Sequence, residues 1–359
     1  MKIKFALYGS GWRSEFFLRV ANALPERFEV VGLITRSAEK AEQLSSSFGV
    51  KCYQTAEELL LAEKPMFMVV SVAGSVNVDV SLDILRRGIP VLLETPPAGD
   101  MAQLLRFHSE IPGGAKIQVA EQYPLHPTHM ARFAFLETGK LGATQHVQIS
   151  FTHGYHGVAL MRRYLGVGFE NAEITAMKFP VSVVGGYTRE GAPAAEAVLE
   201  KSQTVALLNF GGKTGLLNFE TDQHRSWVRS FIIQVKGTHG ELFNSHIKYL
   251  QEFNIPIESE FVRKDLGRED NFEGFDLKGV IGDGMWLYRN PYQGSRLVDD
   301  EIAVAACLDK MAEYVQGGRA FYGLAEASQD QYLSILVDEA IRSGQTVRSE
   351  TQRWAQDGV

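Results

Sequence analysis

Short apolar runs alternate with amphipathic stretches throughout residues 2–120, and this alternation constrains the fold more than any other feature. Helical patterns separate most of these runs; one begins at Thr55, a good N-cap, and another ends at Gly49, a good C-cap. Strands that are apolar along their whole length are buried on both faces of a parallel sheet. The pattern predicts an α/β, doubly wound parallel sheet, with strands in KIKFALYG, FEVVGLIT, KCYQ, MFMVVSVA, PVLLE and KIQVAEQ.

The pattern changes beyond about residue 140. The apolar runs become longer and richer in β-branched and aromatic residues, and glycine turns separate several of them. This predicts a large, mostly antiparallel sheet in ATQHVQISF, QTVALLNFGG, KTGLLNFETD, SFIIQVKGTHG and ELFNSHIKYL. Two amphipathic helices are predicted to close the chain, in 299–318 and 325–344. We predict that the polar segment 255–298 is a loop.

Composition excludes several classes of function. The net charge of −7 gives no electrostatic reason to expect a nucleic acid or an anionic membrane as partner. Cys52 and Cys307 are the only cysteines, too few for a disulfide framework or a cysteine-rich zinc site. No apolar run approaches the roughly 20 residues needed to cross a bilayer, and MKIKFALYGSGW lacks the layout of a signal peptide. A cytoplasmic protein is expected.

The stretch YGSGWRS joins the first predicted strand to the first predicted helix. Gly9 and Gly11 would supply the tight turn and the close backbone approach that a pyrophosphate needs at a helix N-terminus. Ser14 stands where a third glycine or alanine is usual, and it is small enough for helix–strand packing. The alternative is an ordinary strand–helix turn. The position favours dinucleotide binding, with cofactor contacts from Gly9, Ser10, Gly11, Trp12 and Arg13.

The end of the second predicted strand bears on which dinucleotide is bound. An acidic residue there normally holds the ribose 2′-hydroxyl of NAD, but this chain reads Thr35, Arg36, Ser37. Arg36 could pair with a 2′-phosphate and Ser37 could hydrogen-bond it. The alternative is a solvated loop arginine. We therefore predict a preference for NADP over NAD, with all three residues near the cofactor.

The order GSGWRS, SVAGSVN, ETPP, AEQYPLHP and GTHGEL resembles the Gfo/Idh/MocA oxidoreductases over essentially the whole chain. Those are two-domain enzymes that act mainly on sugars, polyols and related carbonyls with NAD(P). The resemblance implies a Rossmann domain at 1–121 and, at 122–359, an α+β domain with an open sheet for substrate binding and oligomerisation. It also places further residues at the cofactor: Ser71, Val72, Asn77, Glu94, Thr95 and Gln122.

Three positions depart from the pattern of that family. Thr95 stands where the family has the lysine of Glu-Lys-Pro, Thr152 stands where it has aspartate, and Pro124 stands where an arginine is frequent. A threonine hydroxyl can orient a ribose or substrate hydroxyl, but it does not titrate near neutral pH and is unsuited to acid–base catalysis. The lost cations argue against a strongly anionic substrate.

His156 falls on the histidine of the family and is the predicted proton carrier. Tyr155 and His153 are possible replacements for it. The alternative is that His156 is a hydrogen-bonded packing residue. The spacing His153-x-x-His156 suits a metal poorly, because no third ligand has recognisable spacing. Helical periodicity places Leu160 and Arg163 on the face of His156, with Tyr164 beside them. We predict substrate contacts from Tyr123, His153, Arg163 and Tyr164.

Three functions remain open from the sequence. The first is an NAD(P)-dependent dehydrogenase or reductase that transfers a hydride between nicotinamide and a carbon of a neutral sugar-like or polyol-like substrate. In that case His156 carries the proton, and Thr95 and Thr152 orient hydroxyl groups. The second is a redox-silent NAD(P)-binding sensor or partner subunit. The third is a lyase or glycosidase that uses tightly bound cofactor transiently. A homo-oligomer, either dimer or tetramer, is expected.

Overall fold

The first sheet is parallel, as the sequence predicts. The structure is a computed structural model that describes residues 2–266 and 275–357. Six strands, in the order β3-β2-β1-β4-β5-β6, pair in parallel throughout. Their order reverses between β1 and β4, where ligands bind in folds of this kind. The strands are β1 (Ile3–Tyr8), β2 (Phe28–Ile34), β3 (Cys52–Tyr53), β4 (Phe67–Val70), β5 (Val91–Leu93) and β6 (Ile117–Val119).

Five helices connect these strands: α1 (Trp12–Ala23), α2 (Ala38–Phe48), α3 (Ala56–Ala62), α4 (Asn77–Arg86) and α5 (Met101–Glu110). Both predicted caps are confirmed. The Thr55 hydroxyl accepts the Glu58 N–H at 3.2 Å, and Gly49 ends α2 in the left-handed conformation. The sequence analysis missed α5, although the Asp100 carboxylate caps it by accepting the Gln103 N–H at 2.9 Å.

A nine-stranded sheet forms most of the second half, in the order β14-β13-β12-β11-β7-β10-β9-β8-β18. All its pairings are antiparallel except the parallel pair of β7 with β10, so the predicted sheet is confirmed. Its strands are β7 (Thr144–Ser150), β8 (Glu173–Val184), β9 (Val198–Asn209), β10 (Thr214–Glu220), β11 (Ile232–Gly237), β12 (Gly240–Phe243), β13 (His246–Glu252), β14 (Ile255–Glu260) and β18 (Val347–Arg348).

Two predictions for this half are wrong. The segment 255–298 contains β14 and a separate three-stranded sheet of β15 (Val262–Asp265), β16 (Leu277–Gly282) and β17 (Met285–Arg289), while 267–274 lie outside the described residues. β14 is an edge strand with mostly exposed side chains, so it lacks the apolar signal. The run ELFNSHIKYL is two strands, because Asn244 turns the chain with a φ of 54°.

The remaining helices are α6 (Pro127–Glu137), α7 (Gly154–Leu165), α8 (Asp299–Val315), α9 (Leu324–Ser343) and α10 (Trp354–Asp357). α8 and α9 confirm the two predicted closing helices. α8 packs against α1, and buried Phe17 and Ile302 belong to one core with β1. The parallel sheet therefore draws part of its cover from sequence far beyond residue 121. Within the described ranges, no helix has the length and apolar character to cross a membrane.

Candidate functional site

A cleft of about 1880 Å³ lies between the carboxyl ends of the parallel strands and the nine-stranded sheet. Residues of both halves line it. From the first half it takes Tyr8 and nearly all the predicted cofactor residues: Gly9, Ser10, Gly11, Trp12, Arg13, Thr35, Arg36, Ser37, Ser71, Val72, Glu94 and Thr95. From the second half come Gln122, Tyr123, His153, His156, Phe219, His224, Arg189 and Asp300, among others. The fold thus brings most of the predicted site to one place.

The glycine turn has the local geometry that a pyrophosphate requires. Gly9 has a φ of +118°, and a Cβ atom there would lie 2.0 Å from the Ser71 carbonyl oxygen. A Cβ on Gly11 would meet no atom within 4 Å, so open space lies in front of the turn at the start of α1. Backbone N–H groups at a helix N-terminus favour an anion in such a space. The residues present therefore fit a dinucleotide.

The two glycines should respond differently to substitution by alanine. We expect Gly9→Ala to destabilise the fold by on the order of 3 kcal/mol, because the strained backbone and the clash act together. Gly11→Ala should change stability by less than about 0.5 kcal/mol but weaken cofactor binding at least about tenfold, because its methyl group fills the anion space. Urea unfolding and calorimetric titration of both variants test this, and normal cofactor affinity in Gly11→Ala would contradict it.

The end of β2 carries no carboxylate. The Thr35 hydroxyl lies 2.8 Å from the Ser10 hydroxyl, which ties the glycine turn to the second strand. The Ser37 hydroxyl caps α2 by accepting the Lys40 N–H at 3.2 Å, and it keeps its own O–H free to donate. Arg36 is exposed and lines the cleft between them. A guanidinium and a hydroxyl donor therefore stand where an acidic residue is usual in NAD-binding folds. An acidic residue there would repel a 2′-phosphate, whereas these two groups can bind it.

Asn77 does not reach the cleft. Its side chain is buried at the start of α4, where its amide group donates to the carbonyl oxygens of Pro96 at 2.9 Å and Pro97 at 3.2 Å. Asn77 therefore supports the segment that follows β5 instead of lining the cleft. Thr95, by contrast, is half-buried and lines the cleft as predicted.

His156 lies in the cleft and is oriented by a buried carboxylate. Its Nδ1 atom is 2.7 Å from Glu121 Oε2, and the side-chain exposures are 15% for His156 and 0% for Glu121. With Nδ1–H donated to the carboxylate, Nε2 is the nitrogen left to accept a proton. The sequence analysis missed Glu121, although it follows the short strand β6 as Glu94 follows β5.

Aromatic rings surround His156. The Tyr123 ring centroid is 4.7 Å from it and that of His153 is 5.5 Å away, while His224 stacks on Phe219. Partial burial and the neighbouring His156 lower the pKa of His153 to about 4, and burial also lowers the pKa of His224. Both rings are therefore neutral near pH 7. Phe219 and His224 come from a distant strand and the turn after it, so no local signal could have marked them.

Besides Asn77, four predicted site residues are not brought to the cleft. Thr152 and Tyr155 are buried, with 2% and 5% exposure, and burial raises the pKa of the Tyr155 phenol well above its usual range. Tyr164 is also buried and its hydroxyl lies 2.6 Å from His129 Nδ1. Arg163 lies over the Phe133 ring. Seven residues advance a helix by about 10 Å, so sharing a face with His156 does not bring Arg163 into the same site.

Asp300 adds a second carboxylate to the site. It lies in the first turn of α8, and its Oδ1 atom is 2.9 Å from His126 Nε2. Burial raises the pKa of Asp300, but the His126 contact and the charges of Arg13 and His156 outweigh it, so the pKa is lowered overall. The sequence analysis did not identify Asp300 as a site residue, because it reaches the cleft only through the packing of α8.

Together these features define a Rossmann-type fold with a cleft at the carboxyl ends of its parallel strands. Residues 3–110 match the Gfo/Idh/MocA family model, described as an oxidoreductase family with an NAD-binding Rossmann fold. This match covers less than half of the chain, and over those residues it confirms the resemblance drawn from the sequence. No curated protein sequence matches the chain significantly.

Solved structures of this fold extend over nearly the whole chain. An NAD-binding oxidoreductase from Klebsiella pneumoniae has 15% identity and a TM-score of 0.68, covering 98% of this chain and 100% of its own. A myo-inositol dehydrogenase from Corynebacterium glutamicum has 16% identity and a TM-score of 0.66, with the same coverage. A levoglucosan dehydrogenase in complex with NADH has 11% identity and a TM-score of 0.68, again covering 98% and 100%. Identities this low establish the fold.

Proposed function

We propose that this protein is an NADP-dependent dehydrogenase or reductase acting on a carbinol or carbonyl carbon of a neutral sugar-like or polyol-like molecule. The carrying observation is the His156–Glu121 pair, which places a buried carboxylate 2.7 Å behind a cleft-facing imidazole. The oxidoreductase family match supports the class of reaction. The dehydrogenases of similar fold, whose names refer to myo-inositol and levoglucosan, suggest the substrate class.

Each group of residues in the cleft has a separate role in the proposed reaction. The glycine turn and the end of β2 bind the dinucleotide, which when bound supplies the hydride acceptor or donor. His156 Nε2 accepts the proton of the substrate hydroxyl, or returns it in the opposite direction. The Glu121 carboxylate holds the imidazole in the required tautomer and stabilises its protonated form. Thr95 orients a hydroxyl group and takes no part in proton transfer.

The aromatic and imidazole rings that line the cleft near His156 support a neutral substrate. Neutral His153 and His224 can each donate and accept hydrogen bonds, as sugar hydroxyls require. Phe219 and Tyr123 add apolar faces to the same region. Six cationic and six acidic side chains line the cleft, so their formal charges balance. Such a surface suits a polyhydroxylated molecule better than a strongly anionic one.

Selection of NADP is expected to depend on Arg36. Replacing Arg36 with alanine should weaken NADPH binding by about 10- to 100-fold, because a charged hydrogen bond to the 2′-phosphate is worth about 1.5–3 kcal/mol. NADH binding should change by less than about threefold, since NADH has no phosphate there. Lys40→Ala is the matched control, because Lys40 is a cation of α2 outside the cleft. Equal losses for both cofactors would contradict the 2′-phosphate contact.

Calorimetric titration with NADPH and NADH, followed by a panel of polyols, sugars and their carbonyl forms, tests the proposed function. Selective NADPH binding with turnover of one neutral compound class would support it. Cofactor binding without turnover would favour the redox-silent sensor, for which the threonines at positions 95 and 152 are the supporting observation. We also propose a homo-oligomer formed through the open nine-stranded sheet, whose exposed side chains include Met177, Phe179 and Leu207.

A further inference from the structure

Arg13 and Glu94 form an ion pair at the floor of the cleft. Arg13 Nε donates to Glu94 Oε1 at 2.9 Å, and the side chains are only 13% and 9% exposed. Arg13 Nη2 is buried and, within the described part of the chain, has no hydrogen-bond partner. The Arg13 guanidinium lies 4.9 Å from the centre of the Phe16 ring, which shields one side of the pair from water. The pair is therefore little screened by solvent.

The position of Arg13 is electrostatically unusual. It lies in the first turn of α1, where the helix dipole disfavours a cation. The Glu94 carboxylate offsets that cost, and it holds the pKa of the guanidinium above its usual range despite burial. The charge of Asp300 contributes a weaker attraction, which also raises the pKa of Arg13. Arg13 thus depends on Glu94 for its charge to be tolerated at this site.

The sheet topology identifies which half of a dinucleotide lies beside this pair. The pyrophosphate binds at the start of α1 and the adenosine ribose at the end of β2. Glu94 follows β5, on the other side of the point where the strand order reverses. The nicotinamide half therefore lies on the Glu94 side. The nicotinamide ring is positively charged when oxidised and neutral when reduced, so a nearby fixed charge distinguishes the two forms.

We propose that the Arg13–Glu94 pair sets the preference of the site between oxidised and reduced cofactor. Arg13 opposes binding of the positively charged ring, and Glu94 cancels most of that opposition. The balance lets one site hold both forms, as a reaction with a bound hydride donor and acceptor requires. This inference rests on the proposed function.

The experiment measures the dissociation constants of NADP⁺ and NADPH for the whole protein and compares their ratio among variants. Arg13→Met should lower the ratio of the NADP⁺ constant to the NADPH constant by about tenfold, since removing a weakly screened cation favours the charged ring. Glu94→Gln should raise the ratio by about tenfold for the opposite reason. Arg13→Lys keeps the charge and should remain within about threefold of the wild-type ratio.

Two further variants separate this effect from a structural one. Arg27→Met removes a cation outside the cleft whose partner is Asp309 and should leave the ratio unchanged. The double variant Arg13→Met/Glu94→Gln removes both charges and should return the ratio towards wild type, which keeps the test valid if Glu94→Gln alone unfolds. An unchanged ratio in Arg13→Met, or shifts of both single variants in the same direction, would overturn the inference. Failure of the wild type to bind either form would overturn the proposed function with it.

Discussion

Replacing His156 with alanine should lower kcat by about a thousandfold or more, because general acid–base catalysis contributes about 10²–10⁴ and no other described side chain in the cleft has the same oriented nitrogen. Cofactor affinity should stay within about twofold, since His156 lies on the substrate side. Steady-state kinetics on the substrate selected by the polyol and sugar panel, with titration of NADPH, measures both quantities. His146→Ala is the matched control, because His146 pairs with Thr214 outside the cleft. Turnover within tenfold of wild type would remove His156 from the mechanism.

Glu121 acts on the substrate only through His156, so it is a positioning residue. Its test therefore compares kcat with KM and uses a variant of the same size. Glu121→Gln retains a polar group of the same size but cannot hold the imidazole in one tautomer with a full negative charge. We expect kcat to fall by about 10²–10⁴, while KM and the dissociation constant of NADPH change little. A rise in KM with unchanged kcat would assign Glu121 a purely structural part.

Replacing Asp330 with alanine should destabilise the fold by about 3–5 kcal/mol. Asp330 is completely buried on α9 and pairs with Arg162 of α7, whose side chain is 3% exposed. Tyr322 also donates its hydroxyl to this carboxylate. Removing the carboxylate leaves a buried guanidinium whose remaining carboxylate partner, Glu326, is 44% exposed. Urea unfolding at neutral pH measures the free energy of unfolding directly.

The same ion-pair network supplies the control. Glu326→Ala removes the exposed partner of Arg162 and should cost less than about 1 kcal/mol. Arg162→Met combined with Asp330→Leu should recover most of the loss, because it removes the unpaired buried charge and keeps the volume filled. If Asp330→Ala and Glu326→Ala destabilise the protein equally, burial of the charge is not the cause.

Much of the fold follows from local sequence signals. The six parallel strands are apolar along their length, and caps such as Thr55 and Gly49 are visible as residue types at the ends of helices. The strands of the small sheet were missed because they are only four to six residues long, and the mostly polar residues of β15 give it no apolar signal. An edge strand such as β14 is ordered by its pairing with β13, and the residues of β14 alone do not predict that pairing.

Only those residues of the candidate site that stand in short, continuous sequence motifs could be predicted. Gly9, Gly11, Arg36 and His156 stand in short motifs with fixed spacing, and they do meet in one cleft. Glu121, Asp300 and His224 owe their place to packing between segments far apart in the chain. Arg163 and Tyr164 show the converse error, since a shared helical face extends over more than one turn and only one turn of α7 borders the cleft.

The packing of α8 on α1 has a consequence for how the chain is made. A ribosome that has released the first 121 residues has delivered all six parallel strands, but the helix whose Ile302, Leu308 and Met311 complete the core around Phe17 is still unsynthesised. The early chain therefore presents an apolar surface for as long as nearly two hundred further residues take to emerge. Exposed apolar surface of this kind attracts chaperones and promotes aggregation. The sheet that is synthesised first therefore waits for a helix near the end of the chain to complete its core.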